Sequence, residues 1–356
     1  MTRIAFYAPM KPPDHPTPSG DRRMARLFIE ALSRAGYRPE TASTLRLRDG
    51  VGDTAVQTAL TARANDEIER IARAWDATGA PALWFTYHCY YKAPDLLGPV
   101  LADRFGIPYI IAEASRAKKR LTGPWAGFAA RAEAAIDRAD LLLAMTAHDR
   151  QALDRDATPG QRIAIFPPFL DPGPAPADKS ADPRLRLLTV AMMRGADKLA
   201  SYRMLADILS GCEGRAWHLT IVGDGPHRAE TEALFAPFSD TVSFVGTLED
   251  AAMLRAYYER ADALVWPGVN EAYGMVYLEA QAAGTPVIAG DWPGPRSVVA
   301  PASFLVPPDD IDGFRSVLLN LTPDPERTRA VRRHIIDHHT IDMAARQLGA
   351  LLGEVA

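Results

Sequence analysis

Cysteine is scarce in this sequence. Cys89 and Cys212 are the only two in 356 residues, which excludes a disulfide framework and a Cys-ligated zinc site and leaves two buried thiols in a reducing compartment. Long apolar runs are missing too: no stretch reaches the ~20 residues of a membrane span. The opening MTRIAFYAPMKPP runs into prolines before a signal-peptide core could form. A cytoplasmic location is therefore expected, with peripheral membrane contact left open. An excess of positive charge is also absent, the formal net charge being −4, so no nucleic-acid partner is expected. His334 and His338 have helical i, i+4 spacing, but no third ligand accompanies them and no metal site is assigned.

What is present is an ordinary globular composition, 47% hydrophobic and 24% charged, in a chain long enough for two domains with a ligand between them. Short apolar runs at 4–8, 82–88, 107–113, 139–146 and 161–168 alternate with segments long enough for helices. The first of these is RRMARLFIEALSRAGY, with Met24, Leu27, Phe28, Ala31 and Leu32 on one helical face. Residues 167–183 then carry six prolines and little that can pack, the composition of a linker. Further apolar runs follow at 185–192, 217–225, 241–246, 261–268 and 285–290. This pattern predicts an α/β protein of two doubly wound parallel sheets. The expected domains are 1–170, a linker at 171–184, a second domain at 185–335, and a terminal helix at 336–356 free to pack on either domain.

The richest segment is NEAYGMVYLEAQAAGTPVIAG at 270–290, with Glu271 and Glu279 eight residues apart. Eight helical residues turn through about 800°, about 80° beyond two full turns, so the two acids would not share a helix face. Glu271 is placed in a loop, while Tyr273, Gly274 and Met275 open a helix carrying Glu279. Such a helix start offers free amides to an anion, and Gly274 permits close approach. Arg194 and Lys198 follow the run at 185–192, and paired cations of this kind can stabilise a departing diphosphate. GDGPHR at 223–228 lacks the third glycine of a dinucleotide fingerprint, Arg228 standing in its place. Gly223 is instead read as a close-approach position. In the first half, Ser19 and Asp21 suit either a helix cap or a ligand loop, and Gly20 would let a phosphate or sugar approach. His88 suits either a structural or a site histidine. Tyr87, Tyr90 and Tyr91 suit an acceptor groove or core packing. RAKKR at 116–120, followed by Trp125 and Phe128, suits a solvated loop, an anionic acceptor or anionic lipid.

The Glu-x7-Glu segment EAYGMVYLEAQAAGTPVIAG, together with IVGDGP, SFVGTLED, ADALVWPG and GDWPGPRSVVAPASFLVPPDD in order along the chain, resembles the retaining glycosyltransferases of family 4. The resemblance is close over about 185–310 and looser elsewhere. It implies a GT-B fold, two Rossmann-like domains, with a nucleotide diphospho-sugar as donor substrate and no further cofactor. It also implies that Arg194 and Lys198 hold the donor diphosphate, that Gly246, Thr247 and Leu248 meet the nucleotide base, and that the loop with Gly20 faces the site. The sequence departs from the family in three places. Four residues separate Arg194 from Lys198 where five are usual, the double glycine near Gly20 is single, and Glu113 stands where many members have a histidine.

The expected activity is thus sugar transfer, with retention and without a required metal, to a glycan, glycolipid or small-molecule hydroxyl, in envelope polysaccharide or glycolipid synthesis. Catalytic roles are expected for Arg194, Lys198 and Glu271. Donor contacts are expected from Gly20, Gly223, Thr247, Leu248, Tyr273, Gly274, Met275 and Glu279, and acceptor-side roles for Ser19, His88 and Glu113. A GT-B type sugar-nucleotide epimerase and a non-catalytic nucleotide-sugar binder are the alternatives. A nicotinamide oxidoreductase is disfavoured by the missing glycine.

Overall fold

The computed structural model describes residues 1–17, 19–177 and 182–355. Residues 178–181 of the expected linker and the last residue of the expected terminal helix lie outside the described residues. The chain forms two compact units, one of Met1–Pro167 with Ile341–Ala356 and one of Pro168–Thr340.

In the first unit, β1 (Thr2–Tyr7), β2 (Tyr37–Ser43), β3 (Leu83–Tyr90), β4 (Tyr109–Ser115), β5 (Leu141–Ala144) and β6 (Arg162–Ile165) form one parallel sheet in the order β2-β1-β3-β4-β5-β6. The connecting helices are α1 (Gly20–Arg34), α2 (Thr54–Thr78), α3 (Gly98–Phe105), α4 (Ala126–Arg138) and α5 (Ala147–Arg155). Ser19 caps α1 by accepting a hydrogen bond from the Arg22 amide, and Met24, Leu27, Phe28, Ala31 and Leu32 form its buried face. Phe28 packs its ring 5.4 Å from Phe85, 5.3 Å from Tyr87 and 5.7 Å from Phe166. Removing such a side chain from water contributes ~1.5–3 kcal/mol, which fixes α1 on the sheet. Asp95 is buried beneath this sheet and accepts from the Thr86 hydroxyl, the Tyr109 hydroxyl, the Trp84 indole and the amides of Leu97 and Gly98.

The second unit repeats the plan. Its strands β7 (Leu185–Val190), β8 (Trp217–Val222), β9 (Val242–Gly246), β10 (Ala263–Trp266), β11 (Val287–Gly290) and β12 (Phe304–Val306) are parallel in the order β12-β11-β10-β7-β8-β9. Around them lie α6 (Asp197–Leu209), α7 (Arg228–Phe235), α8 (Ala251–Arg260), α9 (Met275–Ala282), α10 (Pro293–Arg296), α11 (Ile311–Asn320) and α12 (Pro325–His338). The chain then returns to the first unit as α13 (Ile341–Gly353), which lies against α1 with Arg34 and Asp342 paired at 2.7 Å.

Each sheet reverses its winding once, between β1 and β3 in the first unit and between β7 and β10 in the second. In an open parallel sheet the crevice at such a reversal, beyond the carboxyl ends of the strands, is where ligands bind.

Candidate functional site

In the second unit the reversal brings together the loop after β7 and the loop after β10. Lys198, in the first turn of α6, places its ammonium 2.5 Å from Glu271 Oε2 and 5.4 Å from the centre of the Trp266 ring. The Trp266 indole donates to the same carboxylate oxygen at 3.2 Å. The loop after β10 is tied to the first turns of α6: the Val269 amide donates to Ser201 Oγ at 2.9 Å, and Asn270 Nδ2 donates to Asp197 Oδ1 at 3.0 Å. Ala196 and Asn270 hold left-handed backbone, with φ of 54° and 52°. Non-glycine residues persist there only where the surroundings impose it, and such positions gather at binding sites.

Arg194 lies in the loop before α6, is exposed, and has no carboxylate partner among the described residues. Its neighbour Gly195 faces the His227 ring, whose other nitrogen lies 3.1 Å from Glu230. The β8 loop is locked beneath it, since Met193 donates to the Asp224 carbonyl and His227 donates to the Met193 carbonyl. At Gly223, with φ of 140°, an added Cβ would stand 1.9 Å from the Ala191 carbonyl oxygen. The close approach here is therefore of backbone to backbone, and glycine is required by the fold itself.

Tyr273 and Gly274 lead into α9, which begins at Met275 with no side-chain cap, so no side chain competes for its first amides. Gly274 has φ of 79°, and a Cβ there would meet the Tyr277 ring at 2.6 Å. Burial, followed by the Glu271 charge, holds the Tyr277 hydroxyl well above its usual pKa, and it donates to the Trp266 carbonyl. Glu279, one turn into α9, accepts from the Tyr258 hydroxyl at 2.8 Å. Thr247 and Leu248 follow directly after β9, the first exposed and the second half-buried. Arg194, Lys198, Glu271 and the start of α9 thus stand at the carboxyl ends of β7 and β10.

The first unit builds a second cluster at its own reversal. Asp21, in the first turn of α1, lies 2.9 Å from His88 Nδ1, and Glu113 lies 3.8 Å from the same nitrogen. His88 and Glu113 occupy facing positions at the carboxyl ends of β3 and β4, and both have left-handed backbone, φ of 63° and 58°. Burial opposes a charged imidazole, but the Glu113 charge, the hydrogen bond and charge of Asp21, and Asp149 outweigh it and raise His88 to about 9. Burial also pushes the Glu113 carboxyl up, with His88 opposing. For Asp21 the same burial is overcome by His88 and Lys11, and its pKa falls. The result is an imidazole set between two carboxyl groups that favour its protonated form. Ser19 caps α1 just outside this cluster, and an added Cβ at Gly20 would meet nothing within 4 Å.

Several residues singled out in the sequence lie elsewhere. Phe128 is core rather than lipid-facing, because α4 turns it inward. Arg116 is buried and paired with Glu133 and Asp137, both at 2.7 Å, so it is not available to an acceptor or to lipid. Tyr87 is core. The His334 and His338 rings lie 4.9 Å apart, tilted by 56°, and no group of three or more His, Cys, Asp or Glu that could hold a metal ion is present among the described residues. No helix among the described residues is long and apolar enough to cross a membrane. Sequence reasoning missed Asp21 as the partner of His88, Trp266 as a donor to Glu271, and Tyr258 as the partner of Glu279. The only available signals were Asp21 beside a glycine and Trp266 at the end of ADALVW.

The chain is similar to several known proteins. Residues 185–324 match the family model described as "Glycosyl transferases group 1". The chain is 26% identical over 299 residues, 76% of its length, to D-inositol 3-phosphate glycosyltransferase of Geodermatophilus obscurus. It is 38% identical over 121 residues, 32% of its length, to a GDP-mannose-dependent monoacylated alpha-(1-6)-phosphatidylinositol monomannoside mannosyltransferase of Corynebacterium glutamicum. The matches span 64% and 32% of the length of those two relatives. Among solved structures, sucrose-phosphate synthase of Thermosynechococcus elongatus superposes with a TM-score of 0.75 at 20% identity, covering 99% of each chain. Anabaena Alr3699/HepE in complex with UDP-glucose gives 0.72 at 14% identity, covering 99% of this chain and 100% of that one. With its two six-stranded parallel sheets, the chain has the α/β GT-B fold.

Proposed function

We propose that the protein is a retaining glycosyltransferase of family 4 that moves a sugar from a nucleotide diphospho-sugar to an acceptor hydroxyl in glycan or glycolipid synthesis. The observation that carries this reading is the meeting of Lys198 and Glu271 at the sheet reversal, beside Arg194, which has no carboxylate partner among the described residues, and the uncapped start of α9. Two cations and a row of amides suit a donor diphosphate, and a carboxylate beside them suits sugar hydroxyls.

In this reading Arg194 and Lys198 neutralise the charge that grows on the diphosphate as its bond to the anomeric carbon breaks, so the reaction needs no metal ion. Glu271 and the amides from Tyr273 to Met275 orient the sugar, while Glu279, steadied by Tyr258, takes the ribose hydroxyls. Gly223, Thr247 and Leu248 border the nucleotide. The acceptor oxygen attacks on the face the diphosphate leaves, and its proton passes to the departing phosphate oxygen, which retains the anomeric configuration. Ser19, His88 and Glu113 serve the acceptor side in the first unit.

The test is thermal stabilisation by UDP, GDP, ADP and NAD. A nucleoside diphosphate at about 100 times its Kd stabilises by about 2.7 kcal/mol, and Arg194→Ala should abolish most of that shift. Stabilisation by NAD alone, or a nucleotide shift untouched in Arg194→Ala, would overturn the donor-site assignment. Anomeric analysis of the product by NMR then tests retention.

A further inference from the structure

From His88 a row of aromatic rings runs through Tyr90 at 4.8 Å and Tyr91 at 5.5 Å to Trp125 at 5.6 Å. Two cations converge on its far end. Lys92 Nζ stands 5.6 Å from the Tyr91 ring centre and 5.1 Å from that of Trp125, and the Arg120 guanidinium stands 5.2 Å and 5.4 Å from the same two rings. A third, Arg48, lies near the Tyr90 hydroxyl, where its charge opposes the rise that burial causes in the Tyr90 pKa. The three come from different segments, after β2, after β3 and after β4, so topology gathers them at the same carboxyl edge of the sheet that holds Asp21, His88 and Glu113.

None of the three has a carboxylate within ion-pair distance among the described residues, although their neighbours do: Arg116 pairs with Glu133 and Asp137, and Lys118 with Asp156. Asp49, whose carbonyl takes the Trp125 indole, spends its carboxylate on the amides of Val51, Gly52 and Asp53 and on Gln57. Arg120 Nε is buried with no hydrogen-bond partner. An orphaned buried guanidinium donor costs free energy, and gathered like charges repel. Both costs are relieved by one anion with several acceptor oxygens.

We propose that Lys92 and Arg120, mounted on Tyr91 and Trp125, together with Arg48 beside Tyr90, bind a phosphate group carried by the acceptor. Three unpaired cations match a doubly charged group better than a carboxylate, and the guanidinium forks suit its oxygens. The aromatic row offers apolar ring faces to the sugar or polyol between that phosphate and His88. This rests on the transferase reading for the word acceptor, but the phosphate site itself does not depend on transfer.

The test therefore measures binding rather than turnover, on the full chain without donor. Glucose 6-phosphate, inorganic phosphate and glucose are titrated calorimetrically, and sedimentation is followed with phosphatidylglycerol and phosphatidylcholine vesicles. Wild type is compared with the double variant Lys92→Gln/Arg120→Gln and with Arg120→Lys, each checked for an unchanged melting profile. Expected is preference for glucose 6-phosphate over glucose, or for phosphatidylglycerol over phosphatidylcholine, weakened at least about tenfold in the double variant and partly retained in Arg120→Lys. The arm that responds tells a soluble phosphate from a lipid headgroup. No preference for a phosphorylated probe in either arm, or equal binding by the double variant, overturns the proposal. A chain that binds phosphate here yet transfers no sugar would overturn the function above and leave this site standing.

Discussion

The Lys198 ammonium and Glu271 Oε2 lie 2.5 Å apart although 73 residues separate them in sequence. Their meeting follows from strand order: β7 and β10 are neighbours, so the loops that leave their carboxyl ends must face each other. The pair is half-buried and shared with the Trp266 indole and ring, so neither charge can be removed without changing the setting of the other.

Lys198→Ala and Glu271→Gln should each lower sugar transfer by ~10²–10³. Because the two groups act on one another, the double variant should lose little more than the worse single one. Initial rates at saturating donor measure this, and multiplicative losses would show that the two act independently.

The His88 cluster predicts a pH dependence of stability. His88 has its pKa raised from 6.5 to about 9 in the folded chain. Its contribution is therefore fully present below about 6.5 and is lost as pH rises through about 9. Urea unfolding between pH 6 and 10 should show stability falling over that window in wild type and falling less in His88→Gln. Asp21→Asn should shift the window downward, since it removes a hydrogen bond and charge that hold the proton.

A second histidine acts in the opposite direction. Burial lowers His339 to about 4, against its hydrogen bond with the Pro168 carbonyl. Its neutral form stabilises the fold above about 6.5, and that contribution is lost as pH falls toward about 4. His339→Asn should flatten the acid side of the stability profile while leaving the alkaline side as in wild type. An unchanged acid limb in the variant would assign the acid loss to other groups.

Gly223→Ala should destabilise by more than about 2 kcal/mol, because its Cβ would collide with the Ala191 carbonyl and the backbone would have to move. Gly20→Ala should change stability little, since its Cβ meets open space. Chemical denaturation of both variants separates a glycine the fold demands from one it does not.

Much of the fold was legible because buried parallel strands are written as short apolar runs and amphipathic helices as spaced ones, as in ALWFTYH for β3 and the Met24 to Leu32 face of α1. β2 was not, since an edge strand reading YRPETAS is mostly half-exposed and carries no apolar signature. β12, only three residues long, is below the length at which periodicity can be read.

In the candidate site, the sequence by itself determined which chemistry was available: Glu271 ahead of a glycine-started helix, Arg194 and Lys198 after a strand, and a histidine near the end of another. Local order decides these, because a strand end, a loop and a helix start follow from neighbouring residues. Only the tertiary structure decided the partners. Lys198 met Glu271, His88 met Asp21 and Glu113, and Lys92 met Arg120 across Tyr91 and Trp125. Strand order and helix packing bring those groups together over 25 to 73 residues of sequence, and only there do burial and opposed charges favour a proton on His88 and leave Arg120 Nε without an acceptor.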